Sequence, residues 1–298
     1  MKIKKAVLAL MALGAVASAT AHAQDSGTLK KIKDSGVISI GHRESSIPFS
    51  YYDDQQKVIG YSQDYAMKVV EAVKAKLGTP KLQVKLTPVT SQNRIPLVLN
   101  GTIDLECGST TNNLERQKQV DFSNTIFIIG TRLMAKKESG IKDFADLKGK
   151  TVVTTAGTTS ERLLRAMNNE KSLGMNIISA KDHGDAFLTL STGRAVAFML
   201  DDALLAGERA KSNNPGDFVI VGTPQSREAY GCMLRKNDPA FKKVVDDAIA
   251  KVETSGEGAA LYKKWFMSPI PPKNLNLNFQ MSEDMQKLLK SPNDKALD

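Results

Sequence analysis

Arg43, Arg94 and Arg116 hold comparable places in the chain. Arg43 and Arg94 each follow a segment that reads as a strand, where a parallel sheet presents its loops to a ligand. Arg116 comes shortly after the hydroxyl run Ser109-Thr110-Thr111. A guanidinium offers a planar fork of donors that matches a carboxylate or phosphate, and a surface salt bridge is the ordinary alternative. Gly157-Thr158-Thr159 sits between a strand and a helix start, so its backbone N–H groups and hydroxyls can face an anion; Thr159 as a plain helix cap is the competing reading. Asp201-Asp202 ends an apolar strand and either starts the helix from Ala203 to Lys211 or accepts from a cation. His183 opens another predicted helix, where it can cap, pack or donate.

What is missing narrows the chemistry. There is no nucleophile–base pair, and with Cys107, Cys232, His22, His42 and His183 as the only cysteines and histidines, and no Cys-x-x-Cys, a zinc site has no ligand set. No metal and no cofactor are expected.

These residues need elements to hold them. Val37 to Ile40 is a short β-branched run, and Ala66, Val69, Val70, Val73 and Leu77 recur at helical spacing before Gly78. Leu82, Val84 and Leu86 alternate as a strand, a short helix with Pro96 near its start ends at Asn100-Gly101, and Ile103 to Cys107 is strand again. That order predicts βαβ units on a parallel sheet. Ile126 to Ile129 adds a strand and Lys136 to Gly140 a turn. A second set follows: strand Thr151 to Thr155, helix from Ser160, strand Asn176 to Ser179, helix from His183, and strands Val196 to Leu200 and Phe218 to Val221. The spacing therefore predicts two α/β lobes. In the tail, Tyr230 to Leu234 reads as a strand and Pro239 to Val252 and Glu257 to Phe266 as helices.

At the N-terminus Lys2, Lys4 and Lys5 precede an apolar run from Ala6 to Ala17 that closes in Ala21-His22-Ala23, the pattern of a secretory leader cleaved near Ala23. The run is shorter than the roughly 20 apolar residues of a spanning helix. Three of the chain's net +9 charges leave with it. The remaining basic balance attracts anions, but no Lys/Arg cluster with interleaved aromatics points to nucleic acid, so a small acidic ligand fits an exported protein better. In an oxidising compartment two cysteines tend to pair, with two buried free thiols as the alternative. If Cys107 and Cys232 pair, the tail must return to the first lobe, since the bond needs Cα atoms within about 7 Å.

The stretches Gly41-His42-Arg43-Glu44-Ser45-Ser46, Thr90-Ser91-Gln92-Asn93-Arg94, Glu106-Cys107-Gly108-Ser109-Thr110-Thr111-Asn112-Asn113, Gly157-Thr158-Thr159-Ser160, Lys181-Asp182-His183-Gly184-Asp185 and Phe198-Met199-Leu200-Asp201-Asp202 resemble the family-3 amino-acid-binding proteins of bacterial ABC transporters, and within them the glutamate/aspartate-binding members. The resemblance runs from about Leu29 to the C-terminus; Ser62-Gln63 departs from the acidic residue usual in the wider family. It implies an α/β, two-lobed periplasmic binding protein fold of type II, each lobe a mixed, mostly parallel sheet flanked by helices, with the ligand between them. Residues 1–23 are then the leader, 24–131 with 228–298 the first lobe, and 132–227 the second.

The resemblance also implies roles. Arg116 grips the α-carboxylate of an amino acid with Thr159 beside it, and Asp201, or Asp202 in its place, takes the ammonium with Ser109 and Thr111. Arg43, Arg94, Ser91 and His183 serve a distal carboxylate, which must be compensated when it leaves water. The implied partners are L-glutamate or L-aspartate and an inner-membrane ABC permease with its ATPase, for a monomer in the periplasm. A periplasmic dehydratase on the same scaffold, with His183 or Glu106 as acid or base, is the competing expectation. A sensor domain would require a transmembrane helix and a signalling domain.

Overall fold

The computed structural model describes residues 27–297; the leader, residues 1–23, and its cleavage site lie outside the described residues. In chain order the first elements are α1 (Thr28–Ser35), β1 (Val37–His42), β2 (Ser45–Ser46), β3 (Ser50–Tyr52), β4 (Val58–Ile59), α2 (Tyr61–Leu77), β5 (Gln83–Pro88), α3 (Arg94–Leu99), β6 (Leu105–Glu106), β7 (Thr111–Asn112), α4 (Leu114–Gln117) and β8 (Val120–Ile129). Then come β9 (Thr131–Lys136), β10 (Thr151–Thr155), α5 (Thr159–Glu170), β11 (Asn176–Ala180), α6 (His183–Ser191), β12 (Ala197–Asp201), α7 (Asp202–Lys211) and β13 (Phe218–Val221). The tail is β14 (Glu228–Arg235), α8 (Pro239–Thr254), α9 (Glu257–Phe266), the short pair β15 (Pro269–Ile270) and β16 (Leu275–Asn276), and α10 (Glu283–Lys290).

Two sheets organise these elements. The first runs β5-β1-β6-β14-β7, with β8 also on β14, and the second runs β11-β10-β12-β9-β13. β1 is parallel to β5 and β6, and β10 to β11 and β12, as the alternating units require. The parallel share is smaller than the sequence reading has it. β14 runs against β6, β7 and β8, and β9 against β12 and β13, because these strands enter from the crossings between sheets rather than through a helix. The crossings, at Gly130 and at residues 222–227, lie side by side: the Gln225 N–H donates to the Thr131 carbonyl at 2.9 Å.

Burial explains the elements. On α2, Ala66, Val69, Val70 and Val73 form one fully buried face, and Gly78 ends the helix with a left-handed φ of 64°. β1 and β12 are buried almost throughout, as strands covered on both sides are. The tail packs back on the first sheet, α8 against α2 and β8, and an aromatic cluster of Phe49, Tyr61, Phe127, Tyr230, Tyr262 and Phe266 ties it there. Cys107 and Cys232 are joined by a disulfide, with Cα atoms 4.4 Å apart and both residues fully buried.

Candidate functional site

Parallel strands that end in register deliver their loops to one place. β1 ends at His42 opposite Pro88 of β5, and Gly41 lies beside Glu106, the last residue of β6. The following loops carry Arg43, the segment from Ser91 to Arg94, and the segment from Gly108 to Thr111. In the second sheet β10, β11 and β12 end at Thr155, Ala180 and Asp201, and their loops carry Thr159, His183 and Asp201 itself. The two sets face each other: the Thr111 and Thr159 hydroxyls are 3.5 Å apart, and Arg116 donates from Nη1 to the Thr111 carbonyl at 2.8 Å and from Nη2 to the Gly157 carbonyl at 3.3 Å.

The cationic half holds Arg43 and Arg94, each 1 % exposed, with Arg116 at 9 % and His183 at 1 %. Arg94 Nη1 donates to Thr110 Oγ1 at 2.6 Å and to the Ser109 carbonyl at 3.0 Å, and the Thr110 hydroxyl in turn donates to Glu106 Oε2 at 2.5 Å. Arg43 Nη1 reaches Ser109 Oγ at 3.4 Å. Its stem lies over Gly108, where a Cβ would stand 2.8 Å from Arg43 Cγ and 2.5 Å from Glu106 Oε1, so only glycine admits that approach. No carboxylate among the described residues lies within ion-pair distance of these three guanidiniums. Burial, reinforced by Arg94, lowers Arg43 to about 10 and Arg116 to about 9, and burial lowers Arg94 as well. All three remain charged near neutral pH, desolvated and without a counter-ion in contact.

His183 is held by Thr155, whose hydroxyl is 2.8 Å from Nδ1, while the buried Nε2 has no partner. Burial first, then the charges of Arg43 and Arg94, hold the imidazole well below its usual range, so the ring is neutral. The cap of α6 is Asp182, which accepts from the Asp185 N–H at 3.0 Å, so His183 does not cap. Ser91 Oγ and Arg94 Nε are likewise buried without partners.

The acidic half centres on two carboxylates. Asp201 Oδ1 accepts from Thr131 at 3.0 Å and Ser160 at 3.2 Å, and Oδ2 takes the hydroxyl of Tyr230. Glu228 collects four hydroxyls: Thr111 at 2.5 Å and Thr159 at 2.7 Å on Oε2, Ser226 at 3.0 Å and Thr131 at 3.4 Å on Oε1. Burial and then the charge of Glu228 push Asp201 up to about 7.

Each ambiguity left by the sequence has a geometric answer. Thr158, not Thr159, caps α5, its Oγ1 accepting from the Glu161 N–H at 3.0 Å, which frees the Thr159 hydroxyl for Glu228. Of the aspartate pair, Asp202 serves the helix start by accepting the Ala203 N–H at 2.8 Å, while Asp201 turns inward without capping. Glu228 and Tyr230, two residues apart on β14, are not among the site residues the sequence offers; the strand signal starts only at Tyr230, and only the cross-sheet return of β14 brings the two here. A cavity of about 470 Å³, lined by Arg116, Gly157, Thr158, Thr159, Glu161 and Arg162 among others, opens beside the site. Another of about 570 Å³, on α6, α7 and the turn after β9, lies outside it. Among the described residues no cluster of His, Cys, Asp or Glu is arranged to hold a metal ion, and no helix is long and apolar enough to cross a membrane.

Two sheets joined by paired crossings, with charged loops meeting between their strand ends, define a two-lobed binding protein. The chain belongs to the bacterial extracellular solute-binding proteins, family 3, whose model matches residues 38–268. It is 64 % identical over 302 residues to the glutamate/aspartate import solute-binding protein of Salmonella typhimurium, covering 100 % of both chains. It is 63 % identical to the L-glutamate/L-aspartate-binding protein of Pseudomonas aeruginosa, covering 99 % of each. Among solved structures it is similar to a solute receptor for L-cysteine of Neisseria gonorrhoeae, with a TM-score of 0.71 and 27 % identity over 81 % of this chain and 94 % of that one. These full-length relatives are solute-binding proteins, and this chain is a substrate-binding protein of the same kind rather than an enzyme.

Proposed function

We propose that the protein captures L-glutamate or L-aspartate in the periplasm and delivers it to an inner-membrane ABC permease and its ATPase. The observation that carries the ligand class is the division of one buried site into three guanidiniums without counter-ions and two adjoining carboxylates. An α-amino dicarboxylate has two anionic groups and one cation to match. In this reading Arg116, with Thr159 and the backbone around Gly157, takes the α-carboxylate. Asp201, with Ser109 and Thr111, takes the ammonium, and Arg43, Arg94, Ser91 and His183 take the distal carboxylate. The neutral imidazole, with Nε2 unpartnered, is suited to donate one hydrogen bond there without adding charge.

The names of the relatives from Salmonella typhimurium and Pseudomonas aeruginosa support the same ligands. The protein acts as a monomer after export and cleavage near Ala23. Its first lobe comprises residues 24–131 and 228–298 and its second 132–227, hinged where the chain crosses between sheets. Calorimetric titration of the purified protein with glutamate, aspartate, glutamine and asparagine tests the reading: the two acids should bind at least a hundredfold more tightly than their amides, since each lost hydrogen bond to a charged group is worth about 1.5 to 3 kcal/mol. Equal affinity for glutamine would refute it.

A further inference from the structure

Two buried carboxylates share one hydroxyl in this site. The Thr131 Oγ1 lies 3.0 Å from Asp201 Oδ1 and 3.4 Å from Glu228 Oε1, and the remaining donors to both acids are Ser160, Tyr230, Thr111, Thr159 and Ser226. All of these are neutral hydroxyls. Among the described residues no ion pair involves either acid; the charges of Arg94 and Arg116 reach the pair electrostatically but both guanidiniums bond elsewhere, and Asp202 adds further negative charge on Asp201. Two like charges this close in a desolvated place do not both ionise; one retains a proton.

We propose that Glu228 and Asp201 work as one acidic acceptor that keeps a single proton in the ligand-free protein and gives it up when the ligand's ammonium arrives. The inference rests on the reading of the site as an α-amino acid site and extends it to Glu228. The exchange balances simply. Asp201 begins as the carboxylic acid, its proton leaves to solvent, and the resulting carboxylate accepts from the ammonium, whose three N–H bonds stay intact. Four hydroxyls from α5, β7, β9 and the segment before β14 occupy the oxygens of Glu228 and hold it against Asp201. Its role is to position Thr111 and Thr159 and to set the charge that Asp201 feels.

The direction of the Asp201 shift agrees, since burial and Glu228 bring it to about 7. Proton release per ligand bound should therefore be greatest at pH 6, smaller at pH 7 and smallest at pH 8. The apparent affinity then weakens as the pH falls from 7 to 6, by up to about tenfold for one proton released, through the same linkage.

The test is calorimetry of the full mature chain with glutamate at those three pH values, each in two buffers of different ionisation enthalpy, so that the proton count is read directly. Wild type should follow the descending series. Glu228→Gln, checked for native circular dichroism, should release far less at pH 7 and bind with a flatter pH dependence. Glu208→Gln is the control: Glu208, a buried acid on α7 also raised to about 7, is remote from the pair, and its removal should leave the count as in wild type. Binding with no proton release at any of the three pH values overturns the proposal while leaving the ligand reading intact, as does an equal count in wild type and Glu228→Gln. Absence of binding by any amino acid overturns both. If Glu228→Gln does not fold, the wild-type series measured beside Glu208→Gln decides alone.

Discussion

Gly207→Ala should strengthen the fold and weaken ligand capture. Gly207 lies within α7, and a Cβ there would stand 2.1 Å from the carbonyl oxygen of Ile47 and 2.6 Å from its carbon. Ile47 belongs to the turn between β2 and β3, on the side of the first sheet, so the contact lies across the seam that closure would seal. Gly184 with Ser45, at 3.4 Å, and Lys273 with Asn213, at 2.9 Å, bridge the same seam. A carbon seated comfortably against another atom needs about 3.5 Å, so the methyl would force α7 and the Ile47 peptide apart by roughly an ångström. Overpacking of this kind costs about 1 to 3 kcal/mol. Charged to the closed form alone, that lowers affinity by roughly tenfold to a hundredfold. The ligand-free lobe has the opposite balance, because alanine is favoured over glycine inside a helix by about 1 kcal/mol. Calorimetry with glutamate, set beside thermal unfolding of the ligand-free protein, reads both signs. Wild-type affinity in Gly207→Ala would refute the reasoning. So would unchanged affinity with a loss of 1 to 3 kcal/mol in the ligand-free protein, which would make the contact permanent rather than part of closure.

Arg94→Met is expected to cost glutamate far more affinity than glutamine, whereas Arg116→Met should weaken both alike; competition titrations of the two variants give the ratio. Replacing both Cys107 and Cys232 with alanine removes a bond spanning 125 residues and should cost about 4 to 5 kcal/mol in urea unfolding, while thiol labelling of the denatured, unreduced wild type should find neither cysteine. Glu253 is buried with both carboxylate oxygens unpartnered, and burial raises it to about 9. Its folded-state pKa exceeds the unfolded one, so its contribution is most favourable below about pH 4.3 and is lost as pH climbs toward 9. Glu253→Gln should therefore raise the stability at pH 8 by on the order of a few kcal/mol, seen as a higher melting temperature, and change little at pH 4.

The chemistry-bearing loops were legible because strand, turn and helix signals bracket them closely. Arg43, Ser91, Arg94, Ser109, Thr111, Arg116, Thr159, His183 and Asp201 all come from segments within or shortly after a strand end, and the structure gathers them between the two sheets. What stayed hidden depends on contacts distant in sequence. β9 gives no strand signal in sequence, where only its last residue, Lys136, falls in the predicted turn, because Arg132 and Lys136 interrupt its apolar residues; pairing with β12 and β13 makes it a strand. The strands β2 to β4 are too short to carry a pattern, and helices α1 and α10, although amphipathic, are only eight residues each. Glu228 is the clearest case: an acid four residues after Pro224 reads as a loop charge, and its four hydroxyl partners come from four separate places in the chain. The one-residue offset between Thr158 and Thr159 was beyond sequence for another reason, since either threonine can cap and only the backbone φ of −91° and ψ of 161° at Thr158 decides.

The disulfide sits at a revealing address. Cys107 stands two residues before Ser109, and Cys232 two residues after Tyr230, so the bond anchors the strand end that serves the cationic half to the strand that serves the acidic half. The ladder of β14 with β6, β7 and β8 sets the register of these two halves, and the bond adds a covalent tie at the one point where both meet. A chain whose thiols are still apart keeps only the ladder there, so oxidation in the exporting compartment should firm the grip of a site that the fold has already assembled.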